Sequence, residues 1–188
     1  MFNYNRKQIH AFAKSQIPFL WKKRTTIALA IVGLVLLLLF KDLIQMIAVM
    51  ILFIVLGASS MLYNRWIKIS LGFELIMFGI VMTGVLYGTV PAIIVGWTAL
   101  FFAETITNRF TYSTFVSFIG IFIISFIIPK FDGTSITWVG IWATIIYDAM
   151  IVPGYLLMGS SPGRTLLFFV THLLFNTWAF IVIAPFVF

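Results

Sequence analysis

The chain has 188 residues, of which 62% are hydrophobic and 9% charged, with a mean hydropathy of +1.14, a formal net charge of +7 and no cysteine. A water-soluble fold of this composition would expose an apolar surface that water does not tolerate, and the continuous apolar runs are unlike the alternating strands of a membrane barrel. What remains is an all-α, polytopic transmembrane helical bundle without disulfides, thiolate metal sites or a cysteine nucleophile.

Residues 1–24 form a basic interfacial segment. Six of the twelve basic residues lie here (Arg6, Lys7, Lys14, Lys22, Lys23, Arg24), interleaved with Phe2, Tyr4, Ile9, Phe12, Phe19 and Trp21. Ile9, Phe12 and Ala13 share a helical face, which predicts either an amphipathic helix on anionic lipid or a topogenic basic tail with little order. Pro18 is expected to separate this segment from the first span. The transmembrane bundle then occupies 25–188.

Seven apolar segments follow, at 25–40, 43–63, 69–88, 91–106, 112–128, 137–157 and 165–185. A straight span takes about 20 residues, so the first and fourth are short and a six-span count stays open. The first segment is read as a retained span rather than a signal peptide, because no A-x-A-like site follows it. With the amino terminus inside and all seven crossing, the six tail cations, Arg65, Lys68, Arg109 and Arg164 face the cytoplasm, and only Lys41 and Lys130 face out. That bias predicts a cytoplasmic amino terminus. It also explains the net charge without nucleic acid as a partner.

Helices in lipid associate through small residues. Ala92, Gly96, Ala99 and Ala103 recur on one face of the fourth segment and predict a packing ridge. The third segment carries Gly72, Gly79 and Thr83 on one face and Gly84 and Gly88 on another. The short Gly88–Pro91 connection makes segments three and four an antiparallel hairpin.

Ionisable groups inside a span are costly and face the bundle interior. Glu74, Glu104, Asp148 and His172 come from four different segments at one depth, roughly 5–15 Å from the cytoplasmic boundary. Asn176 shares a helical face with His172, with Thr165 about two turns below, and Asp148 shares one with Thr144. Pro153, Gly154 and Gly159 are expected to interrupt the sixth segment. Two readings stand. Glu74, Glu104, Asp148, His172 and Asn176 line a ligand or ion chamber, or Asp148 and His172 bond across helices while Glu104 pairs with Arg109.

Asp, Glu and His can perform acid–base chemistry, which leaves an intramembrane enzyme acting on lipid as a third reading, but no motif marks one. There is no H-E-x-x-H, G-x-S-x-G, P-loop or nucleotide fingerprint, so no catalytic residue, metal or cofactor is assigned. The loop Gly159-Ser160-Ser161-Pro162-Gly163-Arg164 reads as a cationic connector or a phosphate contact.

The stretch from Ile69 to Pro129 resembles the membrane-embedded substrate-binding (S) components of energy-coupling factor transporters, with MreD-like proteins close behind. The matching text is Leu71-Gly72-Phe73-Glu74-Leu75, Gly84-Val85-Leu86-Tyr87-Gly88 and Pro91-Ala92-Ile93-Ile94-Val95-Gly96, then Glu104, Arg109-Phe110 and a helix from Tyr112. The resemblance implies capture of a small solute in a prokaryotic plasma membrane. It also implies docking on other membrane subunits through small residues such as Ala92, Gly96, Ala99 and Ala103. The seven-segment count and the cytoplasmic placement of the polar groups depart from that family. The alternative is a noncatalytic structural subunit of a larger membrane complex.

Overall fold

The computed structural model describes residues 6–67, 69, 71–131 and 133–187, without the side chains of 6–22. The described residues form helices joined by short irregular connections, with no strand among them. The helices are α1 (Arg6–Leu39), α2 (Lys41–Ser60), α3 (Ile76–Tyr87), α4 (Thr89–Thr107), α5 (Tyr112–Ile127), α6 (Ile136–Leu157) and α7 (Pro162–Val182). Short 3-10 turns occupy Leu62–Arg65, Ile128–Lys130 and Ala184–Phe186.

Five stretches are long and apolar enough to cross a membrane: Lys41–Arg65, Thr89–Thr107, Tyr112–Lys130, Ile136–Leu157 and Pro162–Phe186. No more than 39% of any of their apolar windows is buried inside the chain, so most of their apolar surface faces outward. Lipid is the solvent that surface suits.

The chain divides into two compact units, Met1–Gln45 and Met46–Phe188. In the first, α1 runs without a break from Arg6 to Leu39, through Pro18 and through the expected boundary at residue 24. Proline removes one amide donor and crowds the preceding turn, which here does not end the helix. The side chains that would make 2–24 amphipathic lie largely outside the described residues. Helical hydrogen bonding also continues past Phe40: its amide donates to Leu36 O and its carbonyl accepts from Ile44, both at 2.9 Å. No loop therefore separates segment 25–40 from 43–63.

The second unit is built around α3, whose residues Ile76 to Gly84 are all buried. Its mostly apolar sequence is explained by that position, surrounded by packed neighbours on every side. From α2, the Phe53 ring meets Phe78 edge-on at 5.9 Å, and Gly57 lies against Ile76 and Ala99. The connection to α4 is the single residue Gly88, at φ +88°, a conformation that side chains resist. Helices α5, α6 and α7 complete the wall.

The small-residue ridge of α4 is turned inward, contrary to its expected use as a partner surface. Ala92, Ala99 and Ala103 are fully buried, and a side chain on Gly96 would collide with Ile80 and Ile121. The chain's own α3 and α5 occupy the groove that the ridge offers.

Candidate functional site

The third apolar segment does not form a full span. Residues 71–75 are non-helical, and α3 begins only at Ile76. Irregular backbone at membrane depth persists only where its polar groups find partners. Here side chains supply them. The Tyr63 hydroxyl donates to Leu71 O, and Thr171 Oγ1 accepts from the Gly72 amide at 2.8 Å. Ser60 Oγ accepts from the Leu75 amide at 2.9 Å and donates to Gly57 O at 2.7 Å. Gly72 lies directly on the His172 backbone, with no room for a Cβ.

Glu74 stands two residues before α3 rather than on a helix face. Its Oε2 accepts from the Ile76 amide at 2.5 Å and Oε1 faces the Met77 amide at 3.4 Å. The carboxylate thus satisfies orphan donors at the positive end of the half-length helix.

His172 lies ten residues into α7, about 15 Å along its axis. It is fully buried, stacked on Phe168 with ring centres 5.2 Å apart. Its Nε2 is 2.9 Å from Glu74 Oε1, and its Nδ1 is 2.7 Å from Oδ1 of the buried Asp148. The second contact is at ion-pair distance but off the ring N–H axis, and neither Asp148 oxygen has an aligned hydrogen bond among the described residues. Each ring nitrogen of His172 thus faces one carboxyl oxygen, which ties α6, α7 and the backbone before α3 together.

A chamber of about 720 Å³ opens beside this cluster. Glu74, Met77, Ile80, Ile121 and Tyr147 line it, together with Glu104, Arg109, Ser160 and Arg164. The connections α4–α5 and α6–α7 form its rim. Asn108 closes α4 in the left-handed conformation at φ 55°, and a reciprocal Thr111–Thr114 capping box opens α5. This tight corner lets Arg109 reach back to Asn64 Oδ1 at 3.2 Å and to Ile67 O.

Of the five residues singled out from sequence, Glu74 and Glu104 line the chamber. Asp148, His172 and Asn176 are fully buried and are not among the residues that line it. Asn176 donates to the His172 carbonyl at 3.0 Å rather than to its ring. The expected Glu104–Arg109 ion pair does not form among the described residues. Nor does α6 break at Pro153; it continues to Leu157. Sequence reasoning missed Tyr147, Tyr155 and Ser117, although Tyr147 and Tyr155, eight apart on α6, mark a polar stripe. The Tyr155 and Ser117 hydroxyls are 2.5 Å apart across the α5–α6 contact. No three acidic or histidine groups among the described residues are disposed to hold a metal ion.

Comparison with protein-family models, with curated proteins and with solved structures finds no match to the chain.

Proposed function

We propose that this chain is an integral membrane subunit that captures a small solute carrying a positive charge, similar in role to the S components of energy-coupling factor transporters. The observation that carries this reading is the chamber itself. It places Glu104, which has no ion-pair partner among the described residues, in the same cavity as Glu74, whose carboxyl group contacts His172. Two carboxyl groups lining a low-dielectric cavity offer acceptors to a cationic group, beside the Arg109 and Arg164 that line it too.

The setting proposed is a prokaryotic plasma membrane, with the amino terminus and the connections of Arg65, Arg109 and Arg164 in the cytoplasm, following the charge bias. The chamber would then open inward.

The test is thermal stabilisation and calorimetric titration of the purified protein in detergent with primary amines, amino acids and divalent cations. One cationic class should bind saturably, and Glu104→Gln should weaken it at least about tenfold, the loss of one charged contact. Equal binding of neutral analogues, or an unchanged affinity in Glu104→Gln, would refute the reading.

A structural subunit of a larger assembly is the second reading. An open apolar groove of about 400 Å³ on α4 and α5, lined by Trp97, Phe115, Phe118, Ile119 and Phe122, favours it. It predicts stable co-purification with partner subunits and no solute-dependent change in melting.

A further inference from the structure

The first turn of α7 holds polar groups that capture of a cation leaves unused. Thr165 lines the chamber and is only 4% exposed, yet its Oγ1 has no hydrogen-bond partner among the described residues. Other buried helical threonines behave differently. Thr83, Thr107 and Thr144 donate to the carbonyl four residues back, at 2.7, 2.7 and 2.8 Å. Thr165 has the same carbonyl within reach, since its own amide donates to Ser161 O at 3.0 Å, but its hydroxyl does not use it. A buried hydroxyl left unsatisfied is costly, so it marks a place where a polar group belongs.

Its surroundings say which kind. Helix α7 opens with Pro162, which has no amide hydrogen, and Ser161 at its N-cap makes no side-chain capping bond. The amides of Gly163 and Arg164 are therefore the donors that the first turn leaves without intrahelical partners. The helix dipole adds positive potential there. Ser160, Ser161 and Arg164 line the same rim, and Arg109 lines it from the α4–α5 connection. The one carboxylate at this rim is Glu104, on α4 rather than α7.

We infer that the first turn of α7 is a subsite for a phosphate group, held by the Thr165 hydroxyl and by Arg164. The subsite goes beyond capture of a cation. Its pairing with Glu104 rests on that reading and makes the ligand zwitterionic, with its positive group toward Glu104 and Glu74. Two sources share this chemistry, a soluble phosphorylated amine and the headgroup of a phospholipid.

The experiment is calorimetric titration of the full chain in maltoside micelles, which contain no phosphate, with inorganic phosphate, O-phosphoethanolamine and methylammonium. Native mass spectra of the same samples report retained phospholipid. Phosphate should bind saturably, about tenfold more weakly in Thr165→Val and in Arg164→Gln, and unchanged in Thr165→Ser, which keeps the hydroxyl. A phospholipid retained one to one, lost in Thr165→Val and displaced by phosphate, assigns the headgroup. Tighter binding of O-phosphoethanolamine than of phosphate by lipid-free protein assigns the soluble source. Absence of both phosphate binding and retained phospholipid, or an affinity indifferent to Thr165→Val, overturns the subsite. Methylammonium binding with neither phosphate binding nor retained phospholipid sinks the subsite alone. Phosphate binding without any amine binding sinks the cation reading and leaves the subsite standing.

Discussion

Both ring nitrogens of His172 face carboxylates, so this one side chain separates two buried acids that would otherwise confront each other. Replacing it with phenylalanine keeps an aromatic ring against Phe168 but removes both ring nitrogens that face the carboxyl groups. Glu74 would retain the Ile76 amide, and Asp148 would retain nothing. Breaking a buried ion pair from one side costs about 3–5 kcal/mol. His172→Phe should therefore lose about that much unfolding free energy in detergent, and Asp148→Asn added to it should restore part, since it removes the stranded charge. Equal stability of His172→Phe and the parent would show that the cluster holds nothing together. The identities of these residues were legible because an ionisable group inside an apolar run stands out. Their division into chamber wall and buried support was not. That division depends on Gly72 seating 71–75 against α7, a contact between residues 100 apart in the chain.

At the scale of the helix, the apolar run 69–88 is long enough for a span, and nothing in its hydrophobic pattern stops a helix at Leu75. What delays α3 is local capping combined with tertiary contact. The Glu74 carboxylate takes the amides that a longer helix would have bonded internally, while Ser60, Tyr63 and Thr171 hold the backbone before it. Helices α4 to α7 were legible because their apolar runs end at turn chemistry near Gly88, Asn108, Lys130 and Gly159. The ridge on α4 was legible as packing, but its partner was not, since a helical face carries no record of which neighbour fills it. The cap makes a prediction. Glu74→Gln retains an oxygen acceptor and should keep α3 starting at Ile76. Glu74→Leu should leave the Ile76 amide unpaired at depth, at a cost of about 1–3 kcal/mol. Hydrogen exchange across 71–80, followed by mass spectrometry, should speed up in Glu74→Leu and stay near the parent rate in Glu74→Gln. Equal exchange in all three proteins would mean that the carboxylate does not set the helix start.

For the whole molecule, the placement of charge and the path of the backbone make different demands. The excess of basic residues in 1–24 and at Arg65, Arg109 and Arg164 favours a cytoplasmic position for all of them. The chain must then reverse between 25–40 and 43–63, crossing twice before Arg65. Yet helical hydrogen bonds run through Phe40, and a helix cannot reverse within one continuously bonded turn. If only one of the two apolar segments crosses, the number of crossings before Arg65 is odd. An odd number of crossings would place the tail opposite the Arg65 connection. The absence of cysteine makes the choice measurable, because each engineered thiol is the only one present. Lys14→Cys and Arg65→Cys, each labelled in intact cells with a membrane-impermeant maleimide, should both be protected if the charges govern and the helix opens at Phe40. Labelling of Lys14→Cys with protection of Arg65→Cys would mean that the helix stays continuous and the basic tail lies outside. Arg109→Cys and Arg164→Cys, whose connections line one chamber, should share one outcome, and the charge bias predicts protection. Labelling at those two positions would invert the bundle and open the chamber to the exterior.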